Sequence, residues 1–227
     1  MRKPLVIALA AGAAVAAAVA GWSLAAPEPP ETPNVKKALA FTLEDQNGNK
    51  VTMSSFHGQV VVLEWVNFDC PFSRRHQEAG TFKELYKKYK YGVPGAKPPE
   101  TQPPQDRSRS RGKKEKVVWL AINSTPYATP EQNKAAATKY SIPYPVLDDR
   151  LGRVGRLYGA KTTPHIFIKA PDGTLAYHGA IDDDPKGEKE EPLNYVAQAL
   201  EEILTGKAVS EPETRPYGCD IAYRKNR

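Results

Sequence analysis

The chain has 227 residues, a formal net charge of +6 and only two cysteines. That length supports one domain with a full core plus appendages, and the cysteine count excludes a small fold stapled by several disulfides. The positive charge does not mark a nucleic-acid binder. Residues 90–116 carry eight Lys/Arg against three Asp/Glu, and without this segment and Arg2-Lys3 the chain is close to neutral.

From Pro4 to Ala26 no residue is charged, and Arg2-Lys3 stands in front. Ser23-Leu24-Ala25 offers small side chains for cleavage. Residues 1–26 therefore read as a secretory signal peptide or as a retained membrane anchor, a tether through residues 4–26. Both readings export the rest to the periplasm or another extracytoplasmic space. Residues 27–36 (PEPPETPNVK) are a proline-rich linker.

The domain is expected over 37–204. Asn47-Gly48 between Phe41-Thr42-Leu43 and Val51-Thr52-Met53 predicts an N-terminal β-hairpin. Val60–Val66 is a nearly continuous apolar run, the pattern of a strand buried on both faces. A helix is expected from Pro71 to about Tyr89, with proline at its first position and a stripe of Phe72, Ala79, Phe82, Leu85, Tyr86 and Tyr89. Residues 91–116 have too few aliphatic side chains to fold alone and read as a flexible, basic, proline-rich insertion. Val117–Ile122 is a second buried strand. Thr129-Pro130-Glu131-Gln132 is a capping box opening a helix to Tyr140. A short strand at Pro145–Leu147, ended by Asp148-Asp149, and a helical piece over 151–158 follow. Strands His165–Ile168 and Leu175–His178 flank the Pro171-Asp172-Gly173 turn. A last helix spans 193–204, with Leu193, Val196, Leu200, Ile203 and Leu204 on one side. The tail 205–227 has no periodicity and carries Cys219. This order predicts an α/β fold with a central mixed sheet flanked by helices.

Cys70 falls between a buried strand and the start of a helix. Free helix N–H groups favour a thiolate there, and Arg74, Arg75 and His76 add positive charge in the next turn. A reactive thiol and a structural cysteine are the two readings of this position.

The sequence of features resembles the redoxin branch of the thioredoxin-like superfamily, which includes alkyl hydroperoxide reductase/thiol-specific antioxidant (peroxiredoxin-like) exported proteins and thiol-disulfide oxidoreductases. The resemblance runs over about 36–204 and rests on the Val60–Val66 strand, Asp69-Cys70-Pro71-Phe72-Ser73, Thr162-Thr163-Pro164-His165 and Pro171-Asp172-Gly173. The ending Thr214-Arg215-Pro216-Tyr217-Gly218-Cys219 also looks like that of exported peroxiredoxin-like members. It implies that Cys70 is the attacking thiol and that Pro164 is a cis-proline facing it. Thr163, Pro164 and Pro71 would then border the bound substrate. Glu64, six residues before Cys70, stands where a buried acid relays protons; a paired surface charge is the alternative.

The departures are informative. Ser73 replaces the second cysteine of a Cys-x-x-Cys motif, so no disulfide forms within it. Leu63 and Asn67 stand where peroxiredoxins usually carry proline and threonine, leaving Asn67 as a hydrogen-bond donor in the threonine's place. Cys219 would resolve an oxidised Cys70 or staple the tail to the domain.

The expectation is an exported thiol oxidoreductase reducing hydroperoxides and regenerated by a thiol reductant. The alternatives are an oxidoreductase acting on protein disulfides and a non-catalytic module binding copper or a partner. No cofactor is implied and no nucleic acid is expected. The four histidines (57, 76, 165, 178) lack compact ligand spacing. Asp182-Asp183-Asp184 reads as a solvated loop, and Trp65, Trp119, Phe167 and Tyr177 as core.

Overall fold

The computed structural model describes residues 40–95 and 115–224. The expected signal peptide or anchor, the linker and most of the basic insertion lie outside the described residues. Among the described residues, no helix is long and apolar enough to cross a membrane.

Strands β1 (Thr42–Asp45) and β2 (Lys50–Thr52) form the expected hairpin, turning at Gly48 with φ of 83°. A short 3-10 turn, Met53–Phe56, leads to β3 (Val60–Trp65), every residue of which is buried. After β3 come α1 (Pro71–Ala79), α2 (Thr81–Tyr89), β4 (Val117–Asn123), α3 (Pro130–Tyr140), β5 (Val146–Asp148), α4 (Arg153–Tyr158), β6 (Thr162–Thr163), β7 (His165–Lys169), β8 (Leu175–Gly179), α5 (Tyr195–Leu204) and β9 (Cys219–Asp220). Seven strands form one sheet in the order β2-β1-β5-β4-β3-β7-β8, while β6 and β9 pair separately. β3, β4 and β5 run parallel; the pairs on either side are antiparallel. This is the mixed sheet of a thioredoxin-like fold.

β3 divides its side chains between two cores. Val60 and Val62, with Val66 just past the strand, face a cluster containing Phe82, Tyr89, Trp119, Tyr177, Val196 and Leu200. Val61, Leu63 and Trp65 face Met53, Leu120, Val154 and Phe167 on the other side. α2 is too short to be stable alone. Burial of Phe82, Leu85, Tyr86 and Tyr89 holds it to the sheet, each contributing about 1.5–3 kcal/mol.

The single helix expected over 71–89 is two. Gly80 adopts φ of 73°, its amide bonds back to the carbonyls of Gln77 and His76, and α2 restarts at Thr81. Glycine reaches this left-handed conformation without a steric cost, so it ends one helix where the apolar spacing alone continues it. The last helix starts at Tyr195 with Asn194 as its cap, leaving Leu193 outside it and 47% exposed. The tail is not featureless. The His178 amide donates to the Pro212 carbonyl and the His178 carbonyl accepts the Thr214 amide along the outer edge of β8, and the chain then crosses to β6.

Candidate active site

Cys70 is the cap residue of α1, extended at φ −71° and ψ 124°, with Pro71 beginning the helix. Its backbone amide bonds to the Asn67 carbonyl, and the Asn67 side-chain oxygen accepts the Asp69 amide. Asn67 thus shapes the turn from β3 into α1. Cys70 is 1% exposed, and its thiol donates to the Thr163 carbonyl at 3.0 Å.

The Thr163–Pro164 peptide is cis. β9 pairs antiparallel with the edge just before this proline, Thr163 opposite Cys219 and Thr162 opposite Asp220. The two cysteines, far apart in sequence and both free, are thereby brought together. Burial pushes the Cys70 thiol up, but bonds from the Cys219 and Thr163 side chains and from the Ser73 and Cys219 amides outweigh it, and its pKa falls below the ordinary value. Burial and the bond to Cys70 push Cys219 up to about 11. The pair is therefore split into a thiolate-forming member and a thiol donor.

Glu64 resolves to a buried acid, with 0% exposure. It accepts bonds from Gln77 Nε2 (2.6 Å), Trp119 Nε1 (2.9 Å) and Tyr144 Oη (3.1 Å). Burial raises its pKa to about 7 against the lowering effect of these three donors. Ser73 and Gln77 lie one and two turns beyond Cys70 on the same helix face. Ser73 is fully buried, and its hydroxyl has no hydrogen-bond partner among the described residues. Pro71 is exposed at the rim, whereas Thr163 and Pro164 are buried. On the other side of the β3–α1 turn, Phe68, Asp69, Tyr127, Asn133 and Tyr140 line a cleft of about 290 Å³.

Two sequence-based expectations are corrected. Burial drives the His76 pKa down to about 4, so at neutral pH it supplies no positive charge to Cys70. The Arg75 guanidinium is engaged by the carbonyls of Asp184 (2.7 Å) and Pro185 (3.1 Å). Nor is Asp182–Asp184 a solvated loop. Asp182 and Asp184 are buried, and the Asp184 carboxylate accepts the amides of Gly187, Glu188 and Lys189.

These groups converge on the tail. Tyr217 Oη donates to Asp182 Oδ1 at 2.5 Å and lies 2.9 Å from His76 Nε2. Next to it, Gly218 has φ of 130°, and a β-carbon there would lie 2.2 Å from the Thr163 carbonyl oxygen. The part that Arg75 and Asp182 play in seating the tail was not identified from the sequence, and of the tail only the Thr214–Cys219 ending drew notice there.

His165 accepts the Lys161 amide at Nδ1, and its buried Nε2 has no hydrogen-bond partner among the described residues. No group of three His, Cys, Asp or Glu among the described residues converges as metal ligands do.

No protein-family model and no curated protein sequence matches the chain. Solved structures do. A hypothetical protein of Sinorhizobium meliloti is 25% identical, with a TM-score of 0.65 over 83% of this chain and 93% of its own. An uncharacterized conserved protein of Geobacillus kaustophilus is 24% identical, with a TM-score of 0.65 over 84% of this chain and 92% of its own. A Bacteroides thetaiotaomicron protein proposed to be a protein disulfide isomerase is 17% identical, with a TM-score of 0.51 over 73% and 86%. The chain shares their fold.

Proposed function

We propose that this protein is an exported thiol–disulfide oxidoreductase whose redox pair is Cys70 and Cys219. The observation that carries the reading is the seat of Cys219 opposite Thr163, against a Cys70 sulfur of lowered pKa. The uncharged run after Arg2-Lys3 supports export. Cys70 thiolate attacks one sulfur of a substrate disulfide, the S–S bond breaks, and the departing thiolate takes a proton. A mixed disulfide remains on Cys70. Cys219, deprotonated, then attacks the Cys70 sulfur and expels the second substrate thiolate. Two electrons pass from the pair to the substrate, leaving a Cys70–Cys219 disulfide that an external dithiol reduces. Glu64, ionising near neutrality behind α1, takes up and returns protons on the side of Ser73 and Gln77. Thr163 and Pro164 present backbone to the substrate.

Hydroperoxide reduction is the second reading. One observation favours it: a Cys219 thiol already in place would condense with a Cys70 sulfenic acid, expelling water. Against it, Leu63 and Asn67 stand where peroxiredoxins usually carry proline and threonine.

The test is mass spectrometry of fully reduced protein, quenched by alkylation after exposure to equal concentrations of oxidised glutathione or hydrogen peroxide. Disulfide exchange predicts a Cys70–Cys219 bond forming faster with glutathione disulfide, and Cys219→Ser accumulating a Cys70–glutathione adduct. Faster oxidation by peroxide transfers the site to the second reading. Inert cysteines under both reagents sink both readings.

A further inference from the structure

The edge that would receive a substrate strand is already occupied. β9 fills it with this chain's own backbone, Cys219 against Thr163 and Asp220 against Thr162, and Ile221 continues the contact with an amide bond to the Lys161 carbonyl at 2.9 Å. The Cys219 amide and side chain both reach the Cys70 sulfur. Cys70 lies beneath this cover at 1% exposure.

The cover itself is lightly held. None of residues 205–224 is fully buried. The hold includes a two-residue ladder, the Ile221–Lys161 bond, the Tyr217 contacts with Asp182, His76 and the Phe72 ring, the Tyr223 hydroxyl bond to the Ala160 carbonyl (2.7 Å), and partly buried packing of Tyr217 and Ile221 against the two cores. A segment whose side chains are only partly buried opens below the free energy of global unfolding. Its fit is nonetheless specific. The β-carbon of any residue other than glycine at 218 would lie 2.2 Å from the Thr163 carbonyl oxygen and 3.2 Å from the Pro164 nitrogen.

We propose that Tyr217–Ile221 is a displaceable plug that closes Cys70 and yields its seat to an extended, cysteine-bearing polypeptide strand with glycine immediately before the cysteine. The inference rests on Cys70 being the reacting thiol. It makes protein partners compete with the chain's own tail, because both use the backbone of Thr162 and Thr163.

Alkylation of Cys70 by iodoacetamide tests the plug in a Cys219→Ser background, which leaves one cysteine. The rate is followed over pH. Its plateau reports access, and its midpoint reports thiolate stabilisation. Adding Gly218→Ala unseats the strand and raises the plateau about tenfold or more. A plateau within about twofold of the parent's shows that the tail does not gate Cys70 and overturns the proposal. This readout needs no turnover, so it stands apart from the test of the oxidoreductase reading. Hydrogen exchange of the unaltered chain gives a second measurement if the variant misfolds. The amides of 219–221 should exchange well ahead of those of β7, and equal protection rejects the plug. A synthetic peptide of residues 215–222 should slow alkylation of the unseated variant, and its Gly→Ala analogue should not.

Discussion

At the residue scale, Glu64 shows how burial sets chemistry. Its three donors stabilise a carboxylate, yet desolvation prevails and holds the pKa near 7. The unfolded chain ionises near 4.5, so between these values the folded state binds the extra proton. The stabilising effect is complete below about pH 4.5 and is lost as pH rises through 7. Replacement by glutamine removes this titration. The stability of the parent relative to Glu64→Gln should therefore fall from pH 5 to pH 8, by at most about 3 kcal/mol. Urea denaturation of both proteins at the two pH values checks it, and parallel curves would rule out Glu64 as the titrating group. Its position was legible from the spacing to Cys70. Its burial was not, because the partners that decide it, Gln77, Trp119 and Tyr144, come from α1, β4 and the loop before β5.

At the scale of elements, the sequence was most readable where one period dominates. β3 announced itself by an unbroken apolar run, and α3 by a capping box in which Gln132 and Thr129 bond each other's backbone amides. It failed where a single residue overrides the period. Gly80 splits the expected helix, and its left-handed φ makes a further prediction. Gly80→Ala should destabilise the protein by about 1 kcal/mol, read as a lower urea midpoint at unchanged slope. An unaffected midpoint would mean the break is dictated by packing alone. The tail was least legible of all. β9 has two residues, below any hydrophobic period, and the side chain that anchors it bonds to residues 35 and 141 positions away. Asp182 and His76 reveal that role only once the chain has folded.

For the whole molecule, the pairing of Cys70 with Cys219 would close a loop of 149 residues. In the chain-entropy picture such a bond stabilises by about 5 kcal/mol through the unfolded state. The oxidised protein should unfold at clearly higher urea than the reduced one, while Cys219→Ser responds to neither condition; identical midpoints would count against the pairing. The same economy of connection appears at the base of the basic insertion. The Lys90 carbonyl receives the amides of both Lys116 (2.6 Å) and Val117 (3.2 Å), so the chain leaves α2 and enters β4 at almost one point. Doubling the insertion's length would cost only about 0.6 kcal/mol of closure entropy. Lengthening the connection between the described ends Gly95 and Glu115 is thus expected to leave the urea midpoint nearly unchanged.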